Sequence, residues 1–286
     1  MTAASPLRAA LLAHRATLER EHATLLVGSP RERMAAIGIG AVAITIYVFG
    51  LVVLDISPLA IARGLSRLGD IALLMLPPSP GTWSRCWLYA GALGQTVAIA
   101  LLGTLLAAVF AFPIGFVAAK NIVASRVLHF LARRSLDTVR SVDTLIWALI
   151  WINVVGLGPF AGLLAIASTD CASLGKLVSE AIETARRQPI DGVVAAGGSR
   201  LHAIRFGIIP QVLPIFLSQM LYYFESNTRS ATIVGVVGGG GVGLYLYEAI
   251  RVLEWQQAAF LILIVLIAVA IIDAISRRLR GAIIGR

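Results

Sequence analysis

Charged residues are scarce in this sequence. Asp, Glu, Lys and Arg make up 14% of its 286 residues, whereas soluble domains contain about 25%. Cysteine is scarce too: Cys86 and Cys171 form no C-x-x-C pair, which excludes a disulfide framework and a zinc site of that type. The four histidines form no H-x-x-x-H or H-E-x-x-H motif, so the sequence offers neither a metal site nor a hydrolase constellation.

Hydrophobic residues are abundant instead, at 58% of the chain. A helix needs about 20 apolar residues to cross the core of a bilayer. Six runs predict such spans, at 35–54, 88–119, 141–155, 160–178, 208–224 and 258–275. A glycine-rich stretch at 233–246 is too broken to predict a normal span. We therefore expect an all-α membrane protein with about six transmembrane helices surrounded by lipid.

The region before the first span predicts a surface segment. Residues 1–33 are polar and contain arginines, which predicts a retained membrane anchor rather than a cleaved signal peptide. Leu7, Leu11, Leu18 and Leu25 fall on one stripe, as in an amphipathic helix on the cytoplasmic surface. We expect four regions: 1–33 as this cytoplasmic segment, 34–87 as the first span with an extracytoplasmic loop, 88–280 as the transport core, and 281–286 as a cytoplasmic tail.

The net charge of +9 would indicate a nucleic acid partner if the protein were soluble. Six spans with a cytoplasmic N-terminus instead place five of the 24 Lys and Arg residues outside and 19 inside, the bias that orients membrane proteins. The five outside residues are Arg63, Arg67, Arg85, Arg229 and Arg251. The charge therefore predicts a multi-pass protein of the cytoplasmic membrane with both termini inside, and no nucleic acid partner.

The loop between the fourth and fifth predicted spans is a candidate docking element, because connections of about thirty residues usually have a function. Within 189–210, Asp191 is followed by Gly197 six residues later and by Pro210 thirteen residues beyond that. This spacing resembles the EAA loop of binding-protein-dependent ABC importer permeases. Five positions depart from the usual family residues: Asp191, which stands where the family usually has Glu, and Gly192, Val193, Gly207 and Ile209.

Further motifs make the resemblance more specific. They are Arg133-Arg134 and the stretches 155–162, 224–232 and 237–243. Together they resemble the phosphonate permease of the phosphonate/phosphate ABC importers, over residues 90–280. The resemblance implies a type I importer permease with a methionine-permease-like fold.

That family also implies partners. Two permease copies form a homodimer, two ATP-binding cassette subunits dock on the EAA loops, and an extracytoplasmic solute-binding protein delivers the phosphonate or phosphate anion. In this loop the family has a short helix, a turn at the glycine and a second helix. The residues that the resemblance assigns to coupling are Asp191, Ala195, Ala196, Gly197, Gly198 and Pro210.

Nucleotide chemistry is not expected in this chain. It contains no G-x-x-x-x-G-K-[ST] loop, so we expect a non-catalytic subunit without its own cofactor. ATP and Mg would be bound by the partner ATPase subunit.

Glu225 and Arg229 are spaced i, i+4 in the outer part of the fifth predicted span. Charges at that depth are costly in lipid, so they should pair, face the bundle interior or face water. Two alternatives stay open: a structural ion pair, or an Arg229 that lines the substrate pathway and attracts the anion. Asn153, Ser226 and Asn227 could add neutral hydrogen-bond donors to that pathway.

The glycines Gly238, Gly239, Gly240 and Gly241 are candidate gate residues. Gly238, Gly240 and Gly243 satisfy G-x-G-x-x-G, but the string lies between membrane helices rather than in a βαβ unit, which excludes a dinucleotide site. Close packing through small residues and a helix break whose N-terminus faces the anion both stay open.

Three other functions compete with phosphonate import, for which phosphate and phosphite are alternative substrates. A permease for another solute such as methionine belongs to the same class. A stand-alone secondary transporter or channel would instead predict buried carboxylates or an inverted repeat. A membrane enzyme is third, and the sequence offers no nucleophile–base pair for it.

Overall fold

A computed structural model describes residues 30–54, 57–123 and 125–284, and all regular elements in these ranges are helices. The predicted N-terminal amphipathic helix lies outside these residues. The described residues divide into two compact units, with the boundary between Asp70 and Ile71.

The first unit contains α1 (Pro30–Val53) and most of α2 (Pro58–Leu74). The apolar side chains of α1 are exposed around the whole helix, which is the pattern of a helix whose solvent is lipid. Helix α2 lies where the sequence predicts an extracytoplasmic loop. Its arginines Arg63 and Arg67 are one turn apart on one face, and Leu65 and Leu68 lie on the opposite face. Polar and apolar residues thus alternate with the 3.6-residue period of a helix, which explains why the segment is helical.

The second unit has eight helices in the part of the chain that the structure describes. They are α3 (Trp83–Ala118), α4 (Arg126–Arg140), α5 (Thr144–Val155), α6 (Pro159–Glu183), α7 (Arg187–Ala195), α8 (Arg200–Gly239), α9 (Val242–Arg251) and α10 (Trp255–Ile284). Helix α8 includes two π-helical segments, Ala203–Ile208 and Gly235–Gly239.

Helices α3 and α6 form the centre of this unit, and glycines let them approach closely. A Cβ on Gly103 would lie 2.9 Å from Ile166 Cγ2, and one on Gly115 would lie 2.5 Å from Val178 Cγ1. The same two pairs show that the helices run parallel. Close backbone approach through small residues is the usual way for helices to associate in lipid, where water does not drive them together.

Five described helices are long and apolar enough to cross a membrane, or six if the bent pair α4 and α5 counts as one span. The predicted third span, 141–155, corresponds to α5 of this bent pair, and α3 and α6 can run parallel only if the chain returns across the membrane between them. Helix α5 has 12 residues, which extend about 18 Å, and α4 bends away from it by 92°. On α4, Asp137 pairs with Arg140 and with Lys176 of α6, and such a charged helix is too costly to place in lipid.

The predicted fifth span, 208–224, is too short. Helix α8 continues to Gly239 because the polar residues after Phe224 find partners inside the bundle. Glu225, Asn227 and Thr228 are all buried. Paired polar groups of this kind are tolerated in a spanning helix.

Gly115→Ala should destabilise the fold by about 1–3 kcal/mol, since the added methyl group overpacks the contact of α3 with Val178. The matched control is Gly94→Ala on the same helix, where a Cβ meets open space. We expect a lower midpoint of thermal unfolding in detergent for the first variant only. Equal midpoints for the two variants would show that α3 and α6 are not closely packed.

Candidate functional site

The predicted coupling loop, residues 189–210, forms a helix, a glycine turn and a second helix, as the family resemblance implies. Helix α7 ends at Ala195, and Gly197 has a φ of 81°, a left-handed conformation that strongly favours glycine. The turn is closed by hydrogen bonds from Gly197 N to Val194 O and from Gly198 N to Val193 O, both 2.9 Å. Ser199 then caps the start of α8.

One side of this loop is exposed and the other packs on the bundle. Asp191, Ala195 and Ala196 are exposed. Ile190 lies on the inner side, where a Cβ on Gly207 would be 3.0 Å from its Cα. The departure at Gly207 from the usual family residue therefore has a structural reason, since α7 packs against the π-helical segment there.

Pro210 lies in α8 directly after that π-helical segment and is exposed. Proline lacks the N–H of a regular helix, and a π-helical turn is a common local irregularity at such a point. Pro210 therefore lies beyond the glycine turn, on the helix that leads into the bundle.

Polar contacts hold the loop to the ends of the long helices. The side chain of Gln211 accepts from Arg186 N at 2.9 Å and donates to Arg186 O at 3.2 Å. Arg200 donates to the carbonyl of Ile122, in the turn after α3. Glu183, at the end of α6, accepts from Lys120 N at 2.9 Å. These bonds tie the loop to α8 and to the turn after α3, and they tie that turn to α6.

A buried polar cluster joins three helices deeper in the bundle. The Asn227 amide of α8 donates to Thr104 Oγ1 of α3 at 2.8 Å and also to the carboxylate of Asp170 on α6. Asp170 is only 5% exposed. Since both amide hydrogens of Asn227 are used, none is left for a substrate, and the predicted pathway role of Asn227 is not supported by this geometry.

Sequence analysis missed Asp170, although a lone carboxylate inside a predicted span is a signal by itself. Such a residue is rare in a membrane helix and normally has a named partner. The partner here is 57 positions away, which no local spacing rule could indicate.

Glu225 pairs with two arginines. Its carboxylate lies 3.6 Å from Arg229 on the same helix and 3.4 Å from Arg280 on α10. The ion pair between Glu225 and Arg229, one of the two alternatives, is therefore observed. Arg280 is a second cation in this pair that the sequence did not indicate. Both guanidinium groups contact the same carboxylate and therefore lie at the same depth. The prediction of Arg229 on the outer side and Arg280 on the inner side is corrected by this contact.

The remaining predicted donors are not joined to this cluster by the observed hydrogen bonds. Asn153 is exposed and donates to the carbonyl of Leu149 in its own helix. Ser226 is half-buried beside Glu225 on α8.

The glycine string forms a sharp break between α8 and α9. Gly238, Gly240 and Gly241 have φ angles of 104°, 80° and 78°. A Cβ on Gly162 would lie 2.6 Å from the carbonyl oxygen of Gly239, so α6 reaches this turn at van der Waals distance. Close packing, one of the two alternatives, is thus observed.

The first N–H groups of α9 already have partners. Gly241 N donates to Gln95 Oε1 at 3.0 Å and Val242 N donates to Thr96 Oγ1 at 2.8 Å. These donors are the ones that a helix N-terminus would offer to an anion. The geometry therefore does not favour an anion site at this helix end.

Comparison with known proteins identifies the family. A family model described as a binding-protein-dependent transport system inner membrane component matches residues 111–285. The chain belongs to this family. The matched region contains the predicted coupling loop, Asp170 and Asn227 of the buried polar cluster, and the glycine turn.

Several curated relatives are similar over most of this chain. The putative phosphite transport system permease protein HtxC of Stutzerimonas stutzeri is 36% identical over 78% of both chains. The phosphite transport system permease protein PtxC of the same organism is 33% identical over 85% of this chain and 88% of its own. The phosphate-import permease protein PhnE of Mycolicibacterium smegmatis is 33% identical over 89% of this chain but 47% of its own.

Solved structures support the expected fold. Two inward-facing structures of the MetNI methionine ABC transporter align with TM-scores of 0.61 and 0.62, covering 71% of this chain and 99% of theirs. Their identities of 17% and 18% show the fold alone.

Asp170 is the kind of buried carboxylate that the secondary-transporter alternative predicts, but membership of the permease family decides against that alternative.

Asn227→Ala should destabilise the protein by about 1–3 kcal/mol, because it leaves the buried Asp170 carboxylate without its donor. Asn153→Ala, which removes an exposed amide bonded within its own helix, is the matched control and should change little. The measurement is the unfolding midpoint of each purified variant. Equal unfolding midpoints for the two asparagine variants would show that the cluster does not stabilise the protein.

Proposed function

We propose that this chain is the transmembrane permease subunit of an ATP-driven importer that carries a phosphorus oxyanion, phosphonate or the related phosphite and phosphate, across the cytoplasmic membrane. The observation that carries the proposal is the 36% identity to HtxC over 78% of both chains. The names of the other relatives support the same group of anions, since they refer to phosphite, phosphate and phosphonate.

The proposal assigns energy supply to a partner. Helix α7 presents Asp191 and Val194 on its exposed side, a short surface helix suited to a groove on a separate ATP-binding subunit that binds ATP and Mg. Two permease copies and two such subunits would form the membrane complex, with a solute-binding protein on the other side. A displacement of α7 would reach α8 through Gln211 and α3 through Arg200.

The coupling loop would then face the cytoplasm, with both termini on the same side. Cations lie around the ends of α3 and α6, among them Lys120 in the turn after α3, Arg133 of α4 and Arg200 at the start of α8. This agrees with the rule that cytoplasmic segments are enriched in Lys and Arg. In this orientation, the turn between α8 and α9 lies toward the outer face.

Gly197→Val should uncouple transport from ATP hydrolysis. A side chain at this φ costs about 1–2 kcal/mol, so the turn that presents α7 would rearrange. We expect at least a tenfold loss of ATP hydrolysis stimulated by substrate-loaded binding protein, with normal amounts of permease in the membrane. Gly64→Val in α2, where a Cβ meets open space, is the control. Normal stimulation of the Gly197 variant would refute the docking assignment.

The substrate is tested with the purified complex in proteoliposomes. Binding protein loaded with a phosphonate, phosphite or phosphate should stimulate ATP hydrolysis and uptake, whereas binding protein incubated with methionine should not. Stimulation by a solute without phosphorus, and by none of these anions, would overturn the substrate assignment while leaving the importer assignment intact.

A further inference from the structure

Two arginines from different helices converge on one carboxylate inside the bundle. We propose that Arg229 and Arg280 form a binding site for the transported oxyanion, and that Glu225 occupies this site when no anion is bound. The inference rests on the proposed function and adds to it a ligand site, a second arginine and a resident competitor.

The charges in this cluster do not balance. Two guanidinium groups face a single carboxylate, and no further carboxylate is paired with either arginine among the residues that the structure describes. The cluster therefore has a net charge of +1, which favours an additional or a replacing anion.

The contacts with Glu225 are also loose. Strong charge-assisted hydrogen bonds of arginine are about 2.7–2.9 Å long and often bidentate. Arg229 lies 3.6 Å from Glu225 Oε1, and both terminal nitrogens of Arg280 approach Oε2 at 3.4–3.5 Å. Most N–H donors of the two guanidinium groups therefore remain available for another acceptor. A phosphorus oxyanion, which has several acceptor oxygens around one centre, suits such donors better than a single carboxylate oxygen does.

Glu225 lies far from the end of α3, although Arg280 is only four residues before the end of α10 at Ile284. Asn227, two residues after Glu225, contacts Thr104, which is 14 residues before the end of α3 at Ala118. That separation corresponds to about 21 Å along the helix. Since a bilayer core is about 30 Å thick, charges at this level lie at membrane depth.

The exposure of Arg229 indicates what the site faces. Its side chain is 52% exposed in the single chain, whereas those of Glu225 and Arg280 are 12% and 20% exposed. A half-exposed guanidinium at membrane depth is too costly to face lipid, so it faces water or a second protomer. In an importer, a water-filled region at this depth is the translocation pathway.

Glu225 gives the site a means of release. An arriving oxyanion takes the place of the carboxylate beside Arg229 and Arg280, and the carboxylate returns when the anion leaves. Binding is weakened by this competition, which suits a transport site because a tightly held substrate would not leave.

The test uses the complete complex of permease and ATP-binding subunits in lipid nanodiscs, without binding protein, and radiolabelled inorganic phosphate as the probe. Glu225→Gln should lower the Kd for phosphate about tenfold, equivalent to 1.4 kcal/mol, because the resident competitor is gone. The double variant Glu225→Gln/Arg280→Gln should lose this gain.

The matched control is Asp273→Asn, which frees Arg277 on α10 from a comparable i, i+4 ion pair at 2.6 Å. It should leave phosphate binding unchanged. The proposal is overturned if Glu225→Gln binds phosphate no better than Asp273→Asn, or if the double variant binds as tightly as the single one.

A second measurement covers the case in which Glu225→Gln does not assemble. Uptake per inserted permease should persist in Arg280→Lys, which keeps the charge, and fall at least tenfold in Arg280→Gln. Equal uptake by these two variants would overturn the role of Arg280. If the native complex takes up no phosphorus oxyanion, the proposed function fails instead, and the phosphate-binding comparison still decides whether the anion site exists.

Discussion

The amide of Asn227 connects three helices at one depth of the bundle, and the arrangement around it depends on that connection. Its hydrogen bonds to Thr104 and Asp170 fix α8 against α3 and α6, which are themselves in close contact through Gly103 and Gly115. In lipid an unpaired polar group costs several kcal/mol, so this cluster can form in only one register. The register of α8 in turn determines where Glu225 lies and which residue of α10 can reach it.

The predicted coupling loop and the charged cluster are connected through α8. Gln211 and Arg200 tie the loop to the beginning of α8 and to the turn after α3, and the α-helical part of α8 runs from Ile209 to Val234, past Glu225. Helices transmit displacements along their axes because their hydrogen bonds are internal. A movement of α7 can therefore reach Glu225 without passing through a flexible segment.

Local patterns in the sequence predicted what local spacing determines. Asp191, Gly197 and Pro210 located the helix–turn–helix, and the i, i+4 spacing located the pair of Glu225 and Arg229. What the sequence could not provide were partners far apart in the chain: Arg280 is 55 positions from Glu225, and Asp170 is 57 from Asn227. The angle of 92° between α4 and α5, at the third predicted span, was not predicted either, because hydropathy alone does not show the angle between two helices.

The start of α9 is held by two helices at once. Gln95 and Thr96 bond Gly241 and Val242 to α3, and a Cβ on Gly243 would lie 1.9 Å from the carbonyl oxygen of Thr232 on α8. The link between α8 and α9 consists largely of glycines with positive φ. A side chain introduced at Gly243 would therefore push α9 away from α8 and strain its bonds to α3.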